Sequence, residues 1–76
     1  QQLIAPLCDL RPGQSGHIAY IQMNDPKRLQ KLMAMGVLPG VPITLLRRSP
    51  SFVFEAGYSQ FAVDKEIATD IHVRLA

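Results

Sequence analysis

A mainly β domain, bent into a small barrel of about five short strands with one docked α-helix and a terminal helical turn, is what this chain predicts. Three observations lead there. Short runs of β-branched and aromatic residues recur between Pro-Gly and glycine corners. One segment only, Pro26 to Met35, carries apolar residues at helical spacing. The chain has just 76 residues, and a closed barrel would spare it the bare sheet edges that so small a protein could hardly cover. A ferredoxin-like layout would need a second convincing helix.

The opening arm carries Leu3, Leu7 and Leu10 among turn formers and is expected to pack its leucines. Pro12-Gly13 presets a type II turn, because proline fixes φ and glycine accepts a positive one. His17 to Met23 then reads as the first strand, with Ile18 and Tyr20 on one face. Asn24-Asp25-Pro26 starts a helix: Asp25 accepts free backbone amides, and Pro26 suits the first position, where no donor is needed. Leu29, Leu32 and Met33 form one apolar stripe, and Gly36 stops the helix in the left-handed region. A helix of about ten residues does not persist alone, so it must dock on a sheet.

Leu38-Pro39-Gly40-Val41 is a second Pro-Gly corner and opens a strand from Pro42 to Arg48. Ser49-Pro50-Ser51 breaks that run, and Phe52 to Ala56 resumes it as a hairpin. Gly57-Tyr58 turns the chain again, and Gln60 to Val63 makes a short strand. Asp64 caps a helical turn through Ala68. Ile71, Val73 and Leu75 alternate with His72 and Arg74 in a half-buried closing strand.

The composition, 47% apolar and 18% charged, is that of a globular protein, and a single domain over 1–76 is expected. No apolar run is long enough to cross a bilayer, and no signal-peptide pattern opens the chain, so membrane insertion is not expected. Cys8 is the lone cysteine and cannot form an internal disulfide, which points to the cytoplasm. A formal charge of +2 is too weak a bias to indicate nucleic acid.

The chain carries no Gly-rich phosphate loop, no nucleophile elbow and no His-Glu-x-x-His. Cys8, His17 and His72 are its obvious nucleophile or base candidates, and they fall on separate elements. No catalytic residue is expected. Cys8, Asp9, His17, Glu55 and His72 have the chemistry to ligate Fe(II), yet none shares a diagnostic spacing with another. His72 is the strongest metal candidate, pointing outward between Ile71 and Val73; a plain surface histidine is the simpler reading.

The helix is more informative. Lys27, Arg28 and Lys31 fall on one side, with Met35 beside Arg28 and Lys31. Two of these cations sit in the first turn, where the helix dipole prefers acids. A local rule broken without evident gain marks a docking ridge for an acidic partner, with Met35 as an adaptable apolar contact. The alternative is a solvated basic face. Arg47-Arg48 adds a second basic pair. Phe52, Phe54 and Phe61 read as core, leaving Tyr58 as the one aromatic expected to be exposed, thin support for a nucleic-acid-binding barrel.

The stretch Leu32-Met33-Ala34-Met35-Gly36-Val37-Leu38-Pro39-Gly40-Val41 resembles the signature of the FeoA family, in which a short helix ends in Met-Gly and passes through a Pro-Gly corner into a strand. Leu7, Leu10, Pro12-Gly13 and Gly16 fit the family's opening. Ile43 to Arg47 and Pro50 fit its central strand and exit, and Ala68, Ile71 and Val73 its close. Two places depart: Asp64 stands where relatives often carry arginine, and the tip Ser49 to Ser51 lacks a common Gly-Asp.

The resemblance implies an SH3-like β-barrel and a structural turn at Gly36, Pro39 and Gly40. It implies a non-enzymatic role in bacterial ferrous iron uptake, with FeoB, a membrane transporter bearing a cytosolic GTP-binding domain, as partner. Fe(II) would be the ion the partner carries, and no intrinsic cofactor is implied. SH3-like modules also end iron-dependent repressors of the diphtheria-toxin-repressor type, which is the second expectation for this chain.

Overall fold

The structure, a computed structural model, describes residues 3–75. Its strands are β1 (Ile4–Pro6), β2 (Ser15–Ile21), β3 (Pro42–Arg47), β4 (Phe52–Ala56), β5 (Ser59–Val63) and β6 (Ile71–Leu75). A 3-10 turn, Leu7–Asp9, follows β1, and the helices are α1 (Pro26–Ala34) and α2 (Lys65–Asp70). All pairings are antiparallel, in the order β1-β6-β2-β3-β4-β5. The sixth strand is the addition to expectation: the opening arm pairs Ile4 to Pro6 with Arg74 to His72.

Both Pro-Gly corners form as their sequences dictate. Gly13 has φ +89°, and the amide of Gln14 donates to the carbonyl of Arg11 at 3.0 Å. Gly40 has φ +90°, and the amide of Val41 donates to the carbonyl of Leu38 at 3.1 Å. Each corner is also tied to a strand. The amide of Gly13 donates to Leu45, while that of Gly40 donates to Ile18 at 2.7 Å and the amide of Ile18 returns a bond to Val41 at 2.9 Å.

α1 starts and stops on local chemistry. The Asp25 carboxylate accepts from the amides of Lys27 and Arg28 at 3.1 and 3.4 Å, with Pro26 in the first turn. At the other end, the amide of Gly36 donates to Met33 and that of Val37 to Leu32, the pair of bonds of a Schellman stop. Gly36 takes φ +102° to make it. The apolar contact that accompanies this motif is present too, since Leu32 and Val37 are both buried. Leu32 is the one buried residue within α1; Leu29 is half-buried and Met33 exposed, so the stripe is narrower than its periodicity suggests.

The barrel is strongly curved but not closed. β1 and β5 are the two edges, and no ladder joins them, contrary to the expected closure. β5 runs into α2, whose Asp64 cap accepts from the amide of Ile67 at 2.9 Å. α2 in turn packs on the 3-10 turn, β1 and β6, so side chains rather than backbone bonds seal that end. Leu7, Leu10, Ile18, Ile43, Leu45, Phe54, Ile71 and Val73 fill the core, and among the described residues no polar or charged side chain is buried. Leu3, expected to pack with the arm's other leucines, is exposed.

Curvature comes from two irregularities. Register shifts between Ile18 and Tyr20 on β2, and between Leu45 and Arg47 on β3. The first corrects a face: Ile18 is buried, whereas Tyr20 is 44% exposed, because the extra residue Ala19 breaks the two-residue alternation. The second leaves Leu46 exposed.

Gly16 lies where β2 runs close against β6. A Cβ there would lie 2.1 Å from the Arg74 carbonyl oxygen, a clash with backbone that no rotamer relieves. Gly36 has open space around it, and its requirement is the positive φ alone. Gly36→Ala is therefore expected to lower unfolding stability by about 1 kcal/mol or more. Gly16→Ala is expected to lower it further, and urea titration of the two variants side by side checks that order.

Candidate functional site

The basic residues of α1 do not all face the same surroundings. The Arg28 Nη1 donates to the Glu66 Oε1 of α2 at 2.9 Å, an ion pair exposed on both sides. That hydrogen bond, helped by the fields of Glu66, Asp25 and Asp64, raises the guanidinium above its ordinary pKa. An ion pair so open to water adds little stability, and it links the exposed faces of α1 and α2. It also answers the apparent misplacement of Arg28 in the first helical turn: the side chain has Glu66 as partner, and the charge of Asp25 at the cap adds to the favourable field. Lys27 and Lys31 have no ion pair among the described residues.

Beside this pair lies a groove of about 290 Å³ between α1, the end of β5 and α2. Its floor is apolar, with Leu32, Met35, Val63 and Ile67, and Ala62 borders it. Arg28 and Lys31 stand along it, and among the described residues no carboxylate lines it. The structure thus brings Arg28, Lys31 and Met35 together and leaves Lys27 exposed outside the lining. Around Arg28 a second recess of about 320 Å³ holds Asp25, Glu66 and Asp70. Met33, Met35 and Leu38 are exposed around the end of α1, so the apolar surface extends past the groove.

A model of the FeoA domain matches residues 5–75. The chain belongs to the FeoA domain family. A curated relative, an Fe(2+) transport protein A of Leptolyngbya boryana, is 31% identical over 68 residues, covering 88% of this chain and 83% of that protein. Among solved structures, an iron uptake regulatory protein (FeoA) superposes with a TM-score of 0.83 at 30% identity, covering 97% of this chain and 99% of its own. FeoA of Stenotrophomonas maltophilia, solved with zinc and described as a procaryotic SH3 domain protein, gives 0.75 at 18% identity over 90% of this chain and 86% of that one. A manganese-dependent transcriptional repressor gives 0.89 at 19% identity, over all of this chain but 44% of that one. The fold is SH3-like, and the family is one of ferrous iron transport.

Within this FeoA domain, Gly36, Pro39 and Gly40 form the helix stop and corner that place the groove. The candidate metal ligands are not gathered. Among the described residues no three His, Cys, Asp or Glu side chains converge on a point that could hold an ion. His72 instead stacks on Tyr20, with ring centroids 4.4 Å apart and planes 17° from parallel. Cys8 is buried, its Sγ 3.5 Å from the Thr69 hydroxyl. Asp9, His17 and Glu55 are exposed on separate elements.

Arg48 is also engaged internally: its guanidinium donates to the Leu10 carbonyl and sits 5.5 Å from the centre of the Phe52 ring. Tyr58 is fully exposed, as expected, and Tyr20 joins it as a second exposed aromatic. Glu66 and Ile67 are site residues that sequence reasoning missed. They lie far from α1 along the chain, and no local pattern couples them to it.

The Tyr20–His72 stack predicts a structural rather than a ligating histidine. His72→Ala is expected to lower stability by about 0.5–1.5 kcal/mol. Fe(II) affinity of the chain, read by calorimetric titration, is expected not to change in that variant.

Proposed function

We propose that this chain is a non-enzymatic accessory of ferrous iron uptake that acts in the cytoplasm by binding the cytosolic part of a FeoB-type transporter. Arg28, Lys31 and Met35 beside the groove, with Lys27 next to them, form the docking surface. One observation carries the reading: a groove with an apolar floor stands on an FeoA domain, with cations and, among the described residues, no acid along it and no ion-pair partner for Lys31. Membership in a family of ferrous iron transport supplies the process. Binding acts by favouring one conformation of the transporter over another, which requires unequal affinity for the two. Iron is the transporter's cargo, and among the described residues no three His, Cys, Asp or Glu side chains gather to hold an ion. Among the described residues no helix is long and apolar enough to cross a membrane, and contact with the membrane would run through the partner.

A second reading, a domain of a metal-dependent repressor, draws on the likeness to the manganese-dependent protein, which at 19% identity is one of fold. The FeoA reading has the stronger support, since relatives at 30% and 31% identity are matched over most of both chains. A DNA-binding helix-turn-helix encoded in the same gene would favour the repressor. Nucleic-acid binding has little support, because Arg48 is committed to Leu10 and Phe52.

Reversal of Lys27, Arg28 and Lys31 to glutamate is expected to weaken binding to the transporter's cytosolic part at least about tenfold. Circular dichroism should stay unchanged, because none of the three side chains is buried. Arg28→Ala separates loss of the Glu66 pair from loss of the cations. Unchanged affinity in the triple variant, measured by calorimetry, would remove the surface from the reading.

A further inference from the structure

We infer that the outer edge of β5 is a strand-addition site, taking an extended, acidic and apolar segment of a protein partner between β5 and α1. The inference rests on the docking reading above and specifies how that docking occurs.

Backbone geometry shows which groups are free. The amide of Gly57 donates to the Pro42 carbonyl at 3.0 Å, just outside the facing pair Ile43 and Ala56. Facing pairs of an antiparallel ladder alternate between bonded and non-bonded. Ile43–Ala56 is therefore a non-bonded pair, and the peptide groups of Ala56, Phe54 and Phe52 turn from β3 towards β5. They face Ser59, Phe61 and Val63. The amides and carbonyls of Gln60 and Ala62 consequently point away from the sheet, and no turn or loop backbone bond among the described residues reaches them.

This edge is unguarded. Natural sheets blunt an open edge with proline, lysine, a bulge or a very short strand. Ser59-Gln60-Phe61-Ala62-Val63 has no proline and no charge, and its pairing with β4 runs without a register shift. The opposite edge is guarded: β1 is three residues long and ends in Pro6.

The unguarded edge also borders the groove. Ala62, whose backbone is free, lines it together with Leu32, Met35 and Ile67. A segment bonded to Ala62 lies between the sheet edge and α1, with alternate side chains over that apolar floor. Charge selects the segment. The groove is lined by two cations and no carboxylate, Arg28 is held by Glu66, and Lys31 is unpaired among the described residues. An aspartate or glutamate in the incoming strand meets Lys31, and apolar residues at alternate positions meet the floor.

Amide hydrogen exchange on the whole chain, with and without the transporter's cytosolic part, tests this. The Gln60 and Ala62 amides should exchange readily in the free protein and slow at least about tenfold in the complex. Ala62→Pro, which removes an outward amide that an edge strand does not need, should lower affinity about tenfold while the exchange of β2, β3 and β6 stays native. Lys31→Glu should lower it too. Binding that perturbs α1 yet leaves both amides unprotected overturns strand addition while the docking surface stands. No binding at all overturns both. Protection that rises with concentration of this chain alone makes a second copy the occupant and overturns the assignment to a partner.

Discussion

The reversal between α1 and β3 is the constraint on which the remaining geometry depends. Within α1 only Leu32 is buried, so side-chain burial alone would leave the helix loosely held. What holds it is the chain that follows. Leu32 and Val37 meet across the glycine stop, and the Pro39-Gly40 corner is bonded on both sides to Ile18 of β2. Helix and strand are thus positioned through one seven-residue stretch, from Met35 to Val41, whose conformations only two glycines can adopt without strain. The exposed side of α1, and with it the groove against β5 and α2, follows from that stretch.

The parts of this fold that were legible in the sequence are those whose physics is local. Pro12-Gly13 and Pro39-Gly40 specify their turns through their own dihedral preferences. Asp25 and Asp64 cap the helices that follow them, α2 extending to Asp70 where a single turn was expected. The parts that were not legible are relational. The extra residues Ala19 and Leu46 shift register against a partner strand, and nothing within either run announces it. β1 exists because Ile4 to Pro6 find the other end of the chain. Of the site, the cations and Met35 were visible as a helix face, but the groove was not, since three elements build it.

Two basic residues illustrate how position along the chain and position in space divide. Arg28 looked misplaced in the first helical turn, yet Glu66 of α2 meets it. Arg48 looked like half of a basic pair on the surface, yet its guanidinium lies over Phe52 and bonds to Leu10, joining the β3 exit to the arm. Asp64 makes the converse case. Its side chain, acidic in a chain of net positive charge, has a local duty as the cap of α2. The same SH3-like frame occurs in an FeoA relative and in part of a repressor, so the frame does not decide function. Surface chemistry at such positions does.

The open barrel and the lightly docked helix are connected. Closing the sheet would require β5 to find a sixth hydrogen-bonded neighbour relation, but its last residue, Val63, is followed at once by the Asp64 cap and α2. The chain turns into a helix where a longer strand would continue the ladder, and α2 then supplies Glu66 to Arg28 and Ile67 to the groove floor. One local decision, to cap rather than to extend, therefore creates the free edge, the wall beside it and the acid that occupies one of its two cations. An acidic ligand seeking Arg28 must compete with Glu66, which is already seated at 2.9 Å. Lys31 has no such acid seated on it among the described residues, so of the groove's two cations the lysine is the less committed one.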